Sequence, residues 1–237
     1  MKSIKAAIKY IIEKNGYKYF KKEFMPFGLS IWEDMERLRP GCIKNVLFDV
    51  GANVGQTYLQ MRQQFSGSTI YCFEPSKQSY EVLQKTTCLD KNVKTFHAAV
   101  GEQNGECLIQ TGDDSVWNKI IEHDNVFPSK KVERVQKITI DHIIEQEKIE
   151  HIYMFKTDTE GYDLFVLKGA QQALLNKRIS FIFCEVTLRS DDIQRSHFLE
   201  IFQYLSRMSY DLAALYDLSI VGEPKSLEFC NALFIAR

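Results

Sequence analysis

Two rhythms of apolar and polar positions alternate along this chain. Short apolar runs at 46–50, 69–73, 152–156 and 179–186 have the length and the β-branched or aromatic content of buried strands. Between and after them, residues 57–65 (apolar at Leu59, Met61 and Phe65), 76–89, 141–148, 164–175 and 197–208 carry apolar side chains at helical spacing. Residues 93–100 predict a further strand, the polar stretch 101–105 a turn, and 106–110 and 135–140 more extended chain. Strands alternating with helices predict an α/β fold with a mostly parallel sheet, right-handed crossovers and helices on both faces. The closing runs 212–216 and 232–236 have no helix between them and predict an antiparallel hairpin at one edge. Residues 113–134 are the least regular stretch, with Trp117 and Phe127 among polar residues and Pro128-Ser129 in a turn. Their length suits a functional loop in which Ser115, Trp117 and Phe127 order over bound ligands.

The first 22 residues place Ile4, Ala7, Ile8, Ile11 and Ile12 at helical spacing among seven lysines. Such a basic amphipathic helix suits a lid or packing helix of the domain, or peripheral contact with an anionic membrane surface. A second short helix over 31–38 ends at Pro40-Gly41. Residues 1–42 are therefore expected to form an N-terminal helical extension, and 43–237 the main domain.

Composition changes this picture little. The 237 residues, 45% hydrophobic and 26% charged, suffice for the core of one main domain. A net charge of −1 carries no electrostatic footprint for nucleic acid. The six cysteines, at 42, 72, 88, 107, 184 and 230, lack any metal-ligand spacing and read as reduced core residues of a cytoplasmic protein. No apolar run approaches the roughly 20 residues of a membrane span, and no secretory h-region opens the chain.

Candidate chemistry concentrates at the ends of the apolar runs. Val46 to Gly55 reads as strand, tight turn and helix, an arrangement that presents a helix N-terminus and backbone N–H groups at the carboxyl end of a strand. A dinucleotide turn carries G-x-G-x-x-G, whereas here the pattern is Asp49-x-Gly51-x-x-x-Gly55, with a carboxylate that would repel a pyrophosphate. Asp49 suits an ammonium and a sulfonium, as in S-adenosylmethionine; in a purely structural turn it would cap backbone amides. Glu74 ends the second strand about twenty residues further on, where doubly wound folds place an acid on ribose hydroxyls. Asp158, Glu160 and Asp163 put three carboxylates into six residues after a buried strand. Asp158 and Glu160 are candidates for proton transfer, while Asp163 falls in a first helical turn, where the dipole favours acids. Glu185, inside an apolar strand, needs a partner or a task, because an unpaired carboxylate there is costly.

Phe48-Asp49-Val50-Gly51-Ala52-Asn53-Val54-Gly55, Phe73-Glu74-Pro75, Phe155-Lys156-Thr157-Asp158-Thr159-Glu160-Gly161, Val166-Leu167-Lys168-Gly169-Ala170 and Cys184-Glu185-Val186 together resemble the ordered motifs of the FkbM family of S-adenosylmethionine-dependent methyltransferases, over residues 43–236. The resemblance implies a class I methyltransferase, Rossmann-like fold: a mostly parallel seven-stranded sheet with an antiparallel strand at its edge. It implies methyl transfer to a hydroxyl of a sugar, glycolipid or other natural product. By position it implies a cofactor turn at Asp49, Gly51, Asn53 and Gly55, a ribose acid at Glu74 and an acid pair at Asp158 and Glu160; with the residue reading above, Asp158 is also expected to touch the cofactor, and Asp158, Glu160 and Glu185 to form the catalytic set. Arg207-Met208-Ser209-Tyr210 departs from the family in lacking a glycine before the tyrosine.

The expected function is thus an O-methyltransferase with a small-molecule or glycan acceptor. Two close carboxylates could hold Mg²⁺, but no dedicated third ligand is evident, so a metal is not favoured. The alternatives are an NAD(P)-dependent oxidoreductase, which the missing G-x-G-x-x-G and the lack of a Tyr-x-x-x-Lys pair oppose, and a non-catalytic nucleoside-binding partner protein, which the acids at 158, 160 and 185 oppose.

Overall fold

The computed structural model describes residues 2–18, 20–21, 24–111, 119–121, 131–192, 195–222 and 225–237. The loop expectation for Ser115, Trp117 and Phe127 lies outside the described residues. The elements run α1 (Lys2–Lys14), α2 (Ile31–Leu38), β1 (Val46–Val50), α3 (Gln56–Gln64), β2 (Thr69–Phe73), α4 (Lys77–Thr87), β3 (Val93–Phe96) and β4 (Ala99–Val100). There follow β5 (Gly105–Thr111), β6 (Lys119–Ile121), β7 (Lys131–Ile138), α5 (Ile140–Gln146), β8 (Ile152–Thr157), α6 (Asp163–Lys168), α7 (Gln171–Leu175), β9 (Ile179–Thr187), α8 (Phe198–Arg207), β10 (Tyr210–Val221) and β11 (Ser226–Ala236).

Seven strands form the main sheet in the order β3-β2-β1-β8-β9-β11-β10. The first five are mutually parallel, and β11 runs antiparallel to both β9 and β10. The chain moves outward from β1 to β3 and later returns to β1's other side as β8. The β1–β8 junction is therefore the topological switch point, outside whose carboxyl ends open α/β sheets bind ligands.

Alternation along the strands sends successive side chains to opposite faces. Leu47, Met154 and Phe181 pack with α3 and α4 through Tyr58, Met61 and Leu83. Phe48, Phe155 and Ile182 pack on the other face with α5 to α8 through Ile143, Leu167, Ala173 and Leu205. The second helix is built into the former face: Met35 is fully buried there, a burial worth about 1.5–3 kcal/mol. Asp34 is buried as well, accepting from the Gly28 amide and the Tyr216 hydroxyl at 2.8 Å each, which ties α2 to β10. By contrast α1 leaves Ile4, Ile8 and Ile11 exposed.

Three departures from the sequence reading have local causes. The single strand expected over 93–100 is two, because the chain leaves the main sheet at His97-Ala98 and Ala99–Val100 joins a separate sheet of order β4-β7-β5-β6. In that sheet β7 begins at Lys131, earlier than expected, and buries only Val135, so its apolar signal is weak. The helix expected over 164–175 breaks into α6 and α7 where Gly169 meets Gly101; a Cβ on Gly169 would stand 2.0 Å from the Gly101 carbonyl oxygen. Ser209, at the position where the family commonly has glycine, takes a left-handed φ of 56° before β10. All six cysteines are free thiols.

Candidate active site

The turn after β1 is shaped by its glycines, and its first amides are bonded within the fold. Gly51 has φ 78°, and a Cβ there would stand 1.9 Å from the Asp158 carbonyl oxygen, so only hydrogen fits between β1 and the β8 turn. The Gly51 and Ala52 amides both donate to the Phe73 carbonyl at 3.0 Å, and the Gly55 amide to the Ala52 carbonyl at 2.9 Å. Asn53 takes a left-handed φ of 49°, and its amide donates to Glu74 Oε2 at 2.9 Å. Of the backbone N–H groups expected at this strand end, those of 51–53 are thus committed within the fold. A pyrophosphate would therefore find no free amide at 51–53.

What the turn offers is acceptors. A cleft of about 350 Å³ opens outside the carboxyl ends of β1, β2 and β8, lined in part by Gly51, Asn53, Glu74, Asp158, Thr159 and Glu160. Asn53 Oδ1 and Thr159 Oγ1 are buried without a hydrogen-bond partner, which is costly unless a ligand supplies one. Glu74 is 4% exposed, with Oε1 accepting from the Ser76 amide at 2.8 Å. Burial pushes its carboxyl up to about 7 although the Ser76 and Asn53 amides pull the other way. Two expected residues stand elsewhere. Gly55 caps α3 at φ 99°, packed against Leu83 and Thr86. Asp49 is fully buried beneath the turn and does not line the cleft.

Asp49 is answered by a residue to which the sequence reading gave no role. Lys156 is 7% exposed, with Nζ 3.3 Å from Asp49 Oδ1 and 3.3 Å from Asp158 Oδ2. Burial alone would lower the Lys156 pKa, but the two carboxylates outweigh it and hold it above the ordinary lysine value. Asp49 is raised by burial and held back by Lys156. A lysine inside the apolar run of β8 was open to the reasoning applied to Glu185: a buried charge requires a partner.

The remaining acids gather beyond Asp158. Glu160, at a left-handed φ of 51°, is pushed up to about 7 by burial, then by the charges of Asp158 and Glu185. Glu185 is likewise pushed up to about 7 by burial and by Asp158. Its partner is Arg195, whose Nε stands 3.0 Å from Oε2. Asp163 is fully buried and holds the 157–163 turn, accepting from Thr157 Oγ1 at 2.8 Å and from the Thr159 amide at 3.2 Å. Among the described residues no group of three or more His, Cys, Asp and Glu side chains is arranged to hold a metal ion.

These raised carboxyls have a consequence for stability. Each keeps a proton that the unfolded chain has already released, so its contribution is fully present below the unfolded pKa and is lost as pH climbs through the folded value. For Glu74 that window runs from 4.5 to about 7 and is worth on the order of 3 kcal/mol. The ligand-free protein should therefore melt at a higher temperature at pH 5.5 than at pH 8, with Glu74→Gln flattening the slope; a melting temperature that rises toward pH 8 would contradict the buried-acid geometry.

A family model of the methyltransferase FkbM domain matches residues 49–212, well over half of the chain. The chain belongs to the FkbM methyltransferase family. It is accordingly an S-adenosylmethionine-dependent methyltransferase. No curated protein matches the sequence. Among solved structures, the METTL16 MTase domain matches 86% of this chain at 10% identity and TM-score 0.49, and the chain spans 64% of that one. The N-terminal domain of human METTL16 in complex with SAH matches 95% of this chain and 78% of its own at 12% identity and TM-score 0.49. The Geobacter metallireducens precorrin-6y C5,15-methyltransferase matches 86% and 85% at 10% identity and TM-score 0.46.

The cleft of this FkbM methyltransferase fits the methyl donor on its own chemistry. S-adenosylmethionine is a cation rich in hydrogen-bond donors: an ammonium, two ribose hydroxyls and an exocyclic amine. The cleft carries Glu74, Asp158 and Glu160 against the single ammonium of Lys156, together with the orphaned oxygens of Asn53 and Thr159. Among the described residues no helix is long and apolar enough to cross a membrane.

Proposed function

We propose that the chain is an O-methyltransferase acting on a hydroxyl of a sugar, glycolipid or other natural product. The observation that carries this reading is the pair Asp158 and Glu160 lining the acceptor-rich cleft beyond β8, with Glu185 near the carboxyl end of the neighbouring β9 close enough for its charge to raise Glu160. Bound S-adenosylmethionine supplies an already activated methyl group. Glu74 holds the ribose hydroxyls, and Asn53 and Thr159 accept from the donor's N–H and O–H groups. Asp158 receives the acceptor's hydroxyl proton as the new O–C bond forms and the old S–C bond breaks. Lys156 fixes the Asp158 carboxylate in place through its 3.3 Å contact. Glu160 and Glu185, with pKa values near 7, are suited to take the proton onward. Most of the acceleration comes from positioning.

The rival nicotinamide reading is disfavoured by the same turn, whose amides at 51–53 are spent inside the fold while carboxylates face the cleft. Glu74→Gln should weaken S-adenosylhomocysteine binding by about 1–3 kcal/mol in calorimetry, through loss of charge-assisted hydrogen bonds to the ribose. NAD should not bind, and methyl transfer from labelled donor should persist in excess EDTA. Unaltered affinity in the variant would take Glu74 out of the site; loss of activity in EDTA, restored by Mg²⁺, would make Asp158 and Glu185 metal ligands instead.

A further inference from the structure

We propose that a second cleft, walled by the segment entering α2 and by the β10–β11 hairpin, is the acceptor site and takes a neutral, hydroxyl-rich ring; this rests on the methyl transfer proposed above. The cleft has a volume of about 350 Å³ and lies on the α2–α3 side of the sheet. Its floor is Thr57, Lys156 and Asp158, and these three residues also line the donor cleft. An acceptor seated there meets the donor at the Asp158 carboxylate, the group assigned to take its proton.

The division of the two clefts along the chain supports different tasks. Apart from the shared floor, the donor cleft is lined by residues 50–53, 56, 73–75, 98–100, 109 and 159–160, all inside the family match at 49–212. The outer walls of the second cleft, at 29–32, 216–217 and 231, lie outside it. The donor cleft thus lies within the family match and the outer walls of the second cleft lie beyond it, a division that separates the two tasks along the chain.

The rim's chemistry indicates the acceptor class. Asn231 Nδ2 donates to Asp217 Oδ2 at 3.0 Å, so an amide oxygen and a carboxylate stand side by side, an acceptor set suited to neighbouring hydroxyls. Sheet register places Asn231 between Tyr216 of β10 and Glu185 of β9. Trp32 meets Phe65 edge-on at 5.6 Å between centroids, and Phe183 meets Tyr216 edge-on at 5.8 Å. Trp32 and Phe183 line the cleft, where their rings can pack against the C–H face of a saturated ring. An anionic acceptor is disfavoured, because Asp158 and Asp217 line the cleft and its one ammonium, on Lys156, is already shared by two carboxylates.

The test uses the full chain, labelled S-adenosylmethionine, and two probe panels: neutral methyl glycosides and simple phenols. Glycosides should accept methyl. Trp32→Ala and Asn231→Ala should each raise the glycoside KM about tenfold or more, with kcat within about twofold and the Kd of S-adenosylhomocysteine unchanged. Trp32→Phe should restore KM, and Asn231→Ala serves if loss of Trp32 unfolds the protein. Methylated glycosides with KM unmoved in both variants would overturn the cleft assignment alone. Phenols methylated in place of glycosides would overturn the hydroxyl-rich ring. Bound S-adenosylhomocysteine with no hydroxyl methylated in either panel would overturn the proposed reaction, and the acceptor cleft with it.

Discussion

Asp158→Asn should lower kcat by about 10²–10⁴ while leaving S-adenosylhomocysteine affinity nearly intact. The substitution is close to isosteric, so it removes the proton acceptor and preserves the shape of the junction between the two clefts. It also removes one of the two carboxylates paired with Lys156, but Asp49 remains at 3.3 Å to hold that ammonium. The neighbouring acids make the outcome informative. Were the proton to pass directly to Glu160 or Glu185, both poised near 7, the Asp158→Asn variant would keep most of its rate and Glu160→Gln or Glu185→Gln would lose it. Single-turnover measurements on the three variants assign the step, and a fully active Asp158→Asn enzyme would end the role given to Asp158.

The second large effect is expected from the smallest substitution. Gly51→Ala should lower stability by about 4 kcal/mol or more and abolish donor binding. The reason is steric and lies inside the fold. In the structure the added Cβ would stand 1.9 Å from the Asp158 carbonyl oxygen, so it would force apart the two strand ends that build the site. Gly16 is the control. It has a similar φ of 84°, and a Cβ added there would meet nothing within 4 Å, so Gly16→Ala should cost only about 1 kcal/mol, the backbone strain alone. Equal losses in thermal denaturation for both variants would show that close approach at Gly51 contributes nothing.

Much of this was legible in the sequence because it is recorded in local pattern. The strand Thr69–Phe73 is a continuous apolar run that stops at Glu74, and the structure begins and ends it there. The hairpin was legible from two extended runs with no helix between them. Its length was not: β10 and β11 reach 12 and 11 residues, because Asp211 and Ser219 break the apolar pattern yet stay paired, and the pairing resumes beyond an irregularity at Asp217-Leu218. The separate second sheet escaped because β7 buries only Val135 and its partners β4 and β5 are distant in sequence.

At the site, the residue types were legible and their orientations were not. Asp49 and Val50 are neighbours in one strand, so they face opposite sides, and strand period alone sends one of them away from the cleft. Sequence spacing places Asp49 at the mouth of the turn; the pleat puts it underneath, against Lys156. The second cleft could not be read at all, since it assembles residues 29–32 with 216–217 and 231 across the whole chain. No local pattern links them.

The measurement that reaches the centre of this account is an experimental structure of the protein with S-adenosylhomocysteine. The ribose hydroxyls should lie on Glu74, with polar atoms of the ligand meeting Asn53 Oδ1 and Thr159 Oγ1. The sulfur should lie where the two clefts meet, facing Asp158 and Thr57. A ligand bound with its ribose away from Glu74, or with its sulfur turned from Asp158 toward another surface, would contradict both the donor site and the chemistry assigned to it.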